Sequence, residues 1–413
     1  MYQNLFEQKI VELKSSGQYR EFSCINRVSG DYPNALLGSR KNSDPVVVWC
    51  SNDYLGMSQN PQVTSAMKSA VDLHGAGSGG SRNIGGTHKY YISLEKSLAD
   101  WHGKDAALVF PTGYSSNDAT LQCLLRLFPD CVVFSDEKNH ASIINGIRST
   151  NVERHIFKHN DCDHLESLLK DQPKGRFKVI VFESIYSMDG DEAPIQEIVN
   201  LSKKYNCFTY LDEVHAIGMY GPRGSGIADR DYLSNEIDII QGTMAKGIGV
   251  IGGYITGDSK TIDLIRSFAS GFIFTTSLPP AVVSACLASV DHLKSNDKER
   301  TALHKKTDEL RNSLKIEGIP IMGCSTTHII PVLIGDAKKC KEAARILLEE
   351  YKIYIQPINS PTVPLGTERF RINATPNHTS DQIKFLSQSI REVFNRLSIP
   401  LEIGHPLNRD NAA

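Results

Sequence analysis

The sequence lacks the features that mark several classes of protein. Its nine cysteines are scattered, with no C-x-x-C pair and no cysteine–histidine cluster at zinc spacing, so neither a disulfide framework nor a metal site is predicted. The 45 basic and 47 acidic residues leave a formal net charge of −2, which excludes a global basic field for nucleic acid. No apolar run approaches the length of a bilayer span. We therefore expect no metal, no nucleic-acid partner and no membrane partner.

The first residues also lack the apolar core of a secretory signal, and they carry Glu7 and Glu12, unlike an arginine-rich transit peptide. These features predict a protein that is either cytoplasmic or already processed. With 40% hydrophobic and 22% charged residues, the chain is typical of ordinary globular proteins, and its 413 residues predict two or three domains.

Short apolar runs alternate with amphipathic stretches through the middle of the chain. The stretch from Ile195 to Lys204, for example, places apolar side chains on one face of a helix. Strands that alternate with helices predict an α/β fold with a mostly parallel sheet. The predicted buried strands are residues 106–110, 132–134, 178–182, 208–211, 237–240 and 252–255.

After about residue 285 the pattern changes, and a long helix over 291–314 precedes shorter strands and helices. The strands are predicted at 328–334, 353–355 and 370–372, and the helices at 336–351 and 380–397. We therefore expect a smaller α+β domain at 291–413, after a large domain at 51–290. Residues 1–50 are predicted to form an amphipathic helix and an arm that lies across a neighbour or the domain interface.

Loops after parallel strands bind ligands in α/β proteins, because helix N-termini and backbone amides point there. Asp212 leaves one predicted strand, and His215 follows one turn later. Asp212 is either a helix cap or the partner of a cationic ring nitrogen. Lys246 lies in the glycine-rich loop 242–249, where poor solvation lowers the pKa of an amine and favours Schiff-base chemistry; a solvated structural lysine is the alternative.

Two further loops carry polar groups of the same kind. The segment 110–117, FPTGYSSN, opens a helix after a strand, and its hydroxyls and amides suit a phosphate as well as a simple capped turn. His140 follows the next strand. An anion cradle, a ring-stacking histidine, an aspartate and a shielded lysine in this order are what a pyridoxal-phosphate site needs.

The longer motifs resemble those of the α-oxoamine synthases, within the fold-type I pyridoxal-phosphate transferases. These motifs are WCSNDYLGM (49–57), GAGSGGSRNI (75–84), NHAS (139–142) and YSMDG (186–190). The segments DEVHAIGMYGPRG (212–224), GFIFTTSLPP (271–280), PTVP (361–364) and TER (367–369) are similar to the 5-aminolevulinate synthase family in particular. The resemblance covers nearly the whole chain.

The resemblance implies a cofactor, pyridoxal 5'-phosphate, and a role for each matched residue. Lys246 would hold the cofactor as an internal aldimine and then transfer protons. Asp212 would pair with the pyridinium nitrogen, His215 would hydrogen-bond the ring hydroxyl, and His140 would stack on the ring. The phosphate would be bound by Gly113, Tyr114 and Thr243, and by Thr275 of a partner subunit, which implies an obligate homodimer.

The resemblance also implies the substrates, glycine and succinyl-CoA. Arg371 would bind the glycine carboxylate, with Asn52 and Ser187 nearby. The succinyl end would be contacted by Arg20, Ser81, Asn83, Ile84 and Thr362. The implied reaction condenses the two substrates and releases coenzyme A and carbon dioxide to give 5-aminolevulinate, the first step of tetrapyrrole and haem biosynthesis.

Two positions depart from the family pattern. Members usually carry threonine where this chain has Ser81, and alanine followed by an aromatic residue where it has Gly247 and Ile248. Two alternatives stay open at this point. One is another α-oxoamine synthase with a different acyl-CoA, such as a 2-amino-3-ketobutyrate CoA ligase or a secondary-metabolite enzyme. The other is a non-catalytic scaffold with the same fold.

Overall fold

The computed structural model describes residues 2–39 and 42–401. Their contacts define two compact units, one of residues 2–39, 42–51, 188–191 and 302–401 and the other of residues 52–187 and 192–301. We call them the mixed unit and the sheet unit, and describe each by itself. The predicted division into an arm, a large domain and a small domain stays a prediction, because contacts do not test independent folding.

The strands and helices have the following bounds. The strands are β1 (Ile25–Arg27), β2 (Asn34–Ser39), β3 (Asn42–Val48), β4 (Ala106–Phe110), β5 (Val132–Asp136), β6 (Glu153–Phe157), β7 (Lys178–Glu183), β8 (Cys207–Asp212), β9 (Ile239–Thr243), β10 (Gly253–Gly257), β11 (Ile329–Leu333), β12 (Ile353–Tyr354), β13 (Pro357–Ile358) and β14 (Arg369–Asn373). The helices are α1 (Tyr2–Ser15), α2 (Pro61–His74), α3 (Lys89–His102), α4 (Gly113–Leu127), α5 (Ala141–Arg148), α6 (Cys162–Lys170), α7 (Ile195–Tyr205), α8 (Ile227–Arg230), α9 (Ser259–Phe268), α10 (Ser270–Ile273), α11 (Pro280–Ser295), α12 (Lys298–Ile316), α13 (Ala337–Tyr351) and α14 (Ser380–Arg396).

The sheet unit is built on a seven-stranded sheet in the order β4-β10-β9-β8-β7-β5-β6, in which only β10 runs antiparallel to its neighbours. Every residue of β5, β7, β9 and β10 is buried, so both faces of the sheet are covered, as the continuous apolar runs of these strands require. The mostly parallel α/β sheet predicted from the sequence is confirmed.

Local sequence explains where the helices of this unit begin and end. Thr112 caps α4 by accepting from the Ser115 backbone N–H, and the Ser115 side chain accepts from the Thr112 N–H in return. In α7 the buried residues Ile198 and Val199 lie on one face, and the helix is followed by a C-cap residue, Asn206, in a left-handed conformation.

The mixed unit contains two small sheets, β1-β2-β3-β12 and β11-β14-β13. The side chains of β14 alternate: Phe370 and Ile372 join the apolar core, so Arg369 and Arg371 lie on the other face. Arg369 is buried and pairs with Asp189, 2.5 Å between Nη1 and Oδ1. A buried guanidinium requires such a partner, which fixes the segment 188–191 to the strand that carries Arg371.

Several sequence predictions need correction. The helix predicted over 291–314 is two helices, α11 and α12, because Asn296 is extended and its side chain caps the His292 carbonyl. The strand predicted at 237–240 lies two residues later, as β9. The arm contains the strands β1 to β3. Strand β6 was missed because it is a polar edge strand with mostly accessible residues.

The cysteines are all free thiols, of which four are buried. Among the described helices, none combines the length and the apolar composition needed to cross a bilayer.

Candidate active site

Five residues mark the carboxyl ends of the parallel strands in the sheet unit, one glycine and four with polar side chains. Gly113 follows β4, His140 follows β5, Glu183 ends β7, Asp212 ends β8 and Thr243 ends β9. Because these strands run in one direction, their ends meet at one edge of the sheet. The structure therefore places four of the predicted site residues, together with Glu183, at a single edge.

Lys246 lies at the end of a chain of hydrogen bonds. Its Nζ is 2.8 Å from Nε2 of His215, and Nδ1 of His215 is 2.8 Å from the hydroxyl of Tyr54. The same hydroxyl donates to Oδ1 of Asn52 at 3.1 Å. We call these four residues the site chain. It links the predicted substrate residue Asn52 to the predicted catalytic lysine through a buried tyrosine.

Asp212 is held by a second group of contacts. Its Oδ2 accepts from the Asn117 amide at 2.8 Å, and its Oδ1 accepts from the Val214 N–H at 2.9 Å. Tyr210 in turn donates to Oδ1 of Asn117 at 2.8 Å. Burial raises the pKa of Asp212, whereas these two hydrogen bonds and the nearby Lys246 lower it. The backbone contact is a local cap, but the buried carboxylate also suits a cationic partner.

His140 is the N-cap of α5, and its Nδ1 accepts from the Ser142 N–H at 3.2 Å. Its own backbone N–H donates to Oε1 of Glu183 at 2.6 Å. Desolvation lowers the pKa of the imidazole and Asp212 opposes this. Burial and the neighbouring Asp212 raise the pKa of Glu183 well above its ordinary value. Asp212 and Glu183 thus share a buried environment in which two ionised carboxylates are unfavourable.

Gly113 opens α4 where a side chain would not fit. A Cβ at this position would lie 2.9 Å from Oγ1 of Thr243. Tyr114 follows it and is exposed. The first turn of a helix offers unpaired N–H groups, and this recess lets an anion approach them beside the Thr243 hydroxyl. The recess and the buried Asp212 fit the two charged ends of pyridoxal phosphate.

The structure places the remaining predicted residues of the sheet unit on loops. Ser81 bridges to Thr276, and Asn83 and Ile84 lie exposed in the short helical turn Arg82–Gly86. Thr275 and Ser187 are half-buried.

In the mixed unit the structure brings two predicted acyl-binding residues together. Nη2 of Arg20 donates to Oγ1 of Thr362 at 3.1 Å, and both residues line a cavity of about 910 Å³. Arg371 is buried on β14, and its Nη1 lies 3.1 Å from the Asn373 side-chain oxygen in the orientation that satisfies both ends of that amide.

Four residues that contact predicted site residues were not selected from the sequence: Tyr54, Asn117, Ser142 and Glu183. Tyr54 and Asn117 lie within the segments 49–57 and 110–117, but no spacing rule connects them to residues so far along the chain. The only available signal was that Glu183 is a carboxylate at the end of an apolar strand.

The structure explains the departure at Gly247. A Cβ at this position would lie 2.2 Å from the carbonyl oxygen of Ile217, so the loop after Lys246 packs against backbone in a way that only glycine permits. The following residue, Ile248, is fully buried. The glycine and the isoleucine therefore form a compact alternative to the alanine and aromatic residue of the family pattern.

Replacing Gly247 by alanine, the family's usual residue, is expected to lower the free energy of unfolding by about 1–3 kcal/mol, the usual cost of overpacking. The measurement is chemical unfolding of the purified chain. Gly175→Ala is the matched control, because a Cβ at Gly175 meets no atom within 4 Å. Equal stability of the Gly247→Ala and wild-type chains would contradict this account of the loop.

Comparison with known proteins identifies the family of the chain. The family model described as aminotransferase class I and II matches residues 44–390. The chain is 49% identical to 5-aminolevulinate synthase of Bradyrhizobium diazoefficiens over 401 residues, which cover 97% of this chain and 98% of the relative. It is 47% identical to 5-aminolevulinate synthase of Rickettsia prowazekii over 409 residues, which cover 99% of this chain and 98% of the relative.

Among solved structures, serine palmitoyltransferase of S. paucimobilis with a bound PLP–myriocin aldimine is similar, with a TM-score of 0.87 and 29% identity over 95% of this chain and 97% of that one. The 8-amino-7-oxononanoate synthase of Francisella tularensis, at 21% identity and a TM-score of 0.72 over 86% and 99% of the two chains, shares the fold. The predicted fold-type I architecture is confirmed. The chain belongs to the aminotransferase class I and II family and, within it, to the 5-aminolevulinate synthase family.

Proposed function

We propose that the chain condenses glycine with succinyl-CoA and releases 5-aminolevulinate, coenzyme A and carbon dioxide, with pyridoxal 5'-phosphate as cofactor. The observation that carries the proposal is the single strand-end site in which Lys246, His215, Asp212 and His140 lie together. The choice of substrates rests on the relatives named 5-aminolevulinate synthase, which align over nearly the whole chain.

Bound pyridoxal phosphate supplies an electron sink for a carbanion at the amino acid's α-carbon. The residues of the site have separate roles around the bound cofactor. Asp212 would stabilise positive charge at the ring nitrogen, and Asn117 orients its carboxylate. The Lys246 amine takes a proton from the α-carbon and returns it, and His215 positions that amine. His140 would pack on the ring face.

The substrate roles rest on the resemblance and on residue chemistry. A bidentate guanidinium such as that of Arg371 suits the planar carboxylate of glycine. Arg20, already in contact with Thr362, suits the terminal carboxylate of a succinyl group. Asn52, Ser187, Ser81, Asn83 and Ile84 are proposed to contact the substrates, and Gly113, Tyr114, Thr243 and Thr275 the cofactor phosphate.

The experiment that tests the function is product identification. The purified holoenzyme is incubated with glycine and, separately, with succinyl-CoA, acetyl-CoA and a longer acyl-CoA, and the products are identified by mass spectrometry. We expect 5-aminolevulinate and the highest kcat/KM with succinyl-CoA. Faster turnover with acetyl-CoA would favour the ligase-like alternative, and a holoenzyme that turns over none of them would favour a scaffold.

Two further parts of the proposal concern assembly and location. The role of Thr275 as a phosphate contact from a partner subunit requires a homodimer, and its neighbour Phe274 is 85% exposed, as an interface residue would be in a single chain. Sedimentation at twice the 45.7 kDa chain mass is expected. The cytoplasmic location and the place in haem biosynthesis stay predictions.

A further inference from the structure

Tyr54 is a buried residue of the sheet unit that the proposed function does not use. It is fully buried, and its hydroxyl contacts two groups at once, Oδ1 of Asn52 and Nδ1 of His215. A phenol has a single proton, so it can donate to only one of these two atoms.

The chemistry of the partners decides which atom receives that proton. The amide oxygen of Asn52 is an acceptor and has no proton to offer, so the tyrosine must donate to it. The tyrosine oxygen can then only accept from His215, which requires a proton on Nδ1. A neutral imidazole with a proton on Nδ1 has a lone pair on Nε2. Nε2 faces Lys246 Nζ at 2.8 Å, where an ammonium group can donate to it.

We propose that Tyr54, oriented by Asn52, is a positioning residue that fixes His215 as the Nδ1-protonated tautomer and so directs an acceptor nitrogen toward Lys246. The inference rests on the proposed function only for its catalytic consequence. The same acceptor, Nε2 of His215, could also accept a hydrogen bond from the ring hydroxyl of a cofactor. The tautomer itself is a property of the chain with or without substrates.

The direct test is the protonation state of the His215 nitrogens near neutral pH. The full-length chain, with and without cofactor, is labelled with ¹⁵N-histidine, and the His215 signals are assigned by their absence in His215→Gln. The wild type is expected to show a protonated Nδ1 and an unprotonated Nε2. A protonated Nε2, in a neutral or a cationic ring, would overturn the proposal.

Two variants change the proton donor and acceptor separately. Tyr54→Phe keeps the ring and removes the hydroxyl, so the Nδ1–H preference is expected to be lost and kcat to fall by about 10-fold. Asn52→Ala removes the acceptor from an exposed position, so the tyrosine proton can turn to Nδ1 and the tautomer is expected to shift toward Nε2–H. Unchanged His215 signals in both variants would refute the role of Tyr54.

The chain offers a matched control. Tyr254 is also buried, and its hydroxyl lies 2.9 Å from Nε2 of another buried histidine, His102. Tyr254→Phe therefore removes an equivalent tyrosine–histidine contact outside the site chain. It is expected to leave the His215 signals unchanged and kcat within 2-fold of the wild-type value. If Tyr254→Phe caused the same changes as Tyr54→Phe, the effect would be a general loosening of the fold. Because the nitrogen signals need no substrate, failure of the proposed reaction would not be mistaken for failure of this inference.

Discussion

Replacing Lys246 by alanine is expected to reduce turnover by about 10⁴-fold or more, because one amine serves both as the covalent anchor of the cofactor and as the proton-transfer group. The holoenzyme is expected to show the visible absorbance band of an internal aldimine, and the variant should lose it. The structure supports a specific role for this lysine, since its Nζ lies 2.8 Å from His215 in a loop whose neighbours Met244 and Ile248 are buried. The measurements are steady-state kinetics and absorbance under saturating cofactor.

Two further variants distinguish the chemical role of the Lys246 amine from the effect of its positive charge and from the loss of any lysine. Lys246→Arg keeps a cation that can donate to Nε2 of His215, but a guanidinium stays protonated and cannot act as a nucleophile or a base. It should therefore be as inactive as the alanine variant. Lys260→Ala removes an exposed lysine at the start of α9 and should leave both readouts unchanged. A Lys246→Ala variant with a tenth of wild-type turnover would contradict the assignment.

The sequence predicted the parts of the site that depend on local position. Lys246, Asp212 and Gly113 each lie in a loop after an apolar strand, and the rule that ligands bind at the ends of parallel strands marked those loops as candidates. The role of each residue came from the family resemblance. The order of strands in the sheet was not needed for this, because every such end in a parallel sheet meets the same edge. For the same reason the α/β class could be predicted from alternation alone.

The parts that could not be predicted depend on packing between distant segments. Tyr54 is 161 positions from His215, and Asn117 is 95 positions from Asp212, so no periodicity or motif spacing connects them. The close approach of Gly247 to the Ile217 carbonyl is equally invisible in the sequence, where the glycine reads only as a departure from a family pattern. Hydrogen-bond partners of this kind follow from the tertiary fold.

The two buried carboxylates of the site show how the fold divides their roles. Glu183 and Asp212 are directly paired in the register of β7 and β8. Burial raises the pKa of both carboxyl groups, and the neighbouring Asp212 raises the pKa of Glu183 further. Asp212 has the Asn117 amide and the Val214 N–H to stabilise its anion, whereas Glu183 binds the His140 N–H. Asp212 is thus the better placed of the two to remain ionised beside a cationic ring nitrogen.

Asp212→Asn is accordingly expected to lower kcat/KM by about 10²–10³-fold, since an amide keeps the shape of the carboxylate but cannot stabilise positive charge on the ring nitrogen. The measurement is steady-state kinetics at saturating cofactor. Asp258→Asn is the control, because Asp258 caps α9 and asparagine caps equally well. A variant that retains more than a tenth of wild-type kcat/KM would remove Asp212 from its proposed role.

The stability of the same variant separates this electrostatic role from a structural one. Folding raises the pKa of Asp212, so the native chain holds a proton more tightly than the unfolded chain, and the ionised carboxylate opposes folding of the cofactor-free chain as the pH rises. Asparagine removes that penalty but has one oxygen where Asp212 uses two, so it loses one hydrogen bond worth about 1 kcal/mol. The two effects have opposite signs, and the free energy of unfolding of cofactor-free Asp212→Asn is expected to lie within about 1 kcal/mol of the wild type. A large loss of stability would instead show that Asp212 serves the fold, and its effect on turnover would then carry no information about the ring nitrogen.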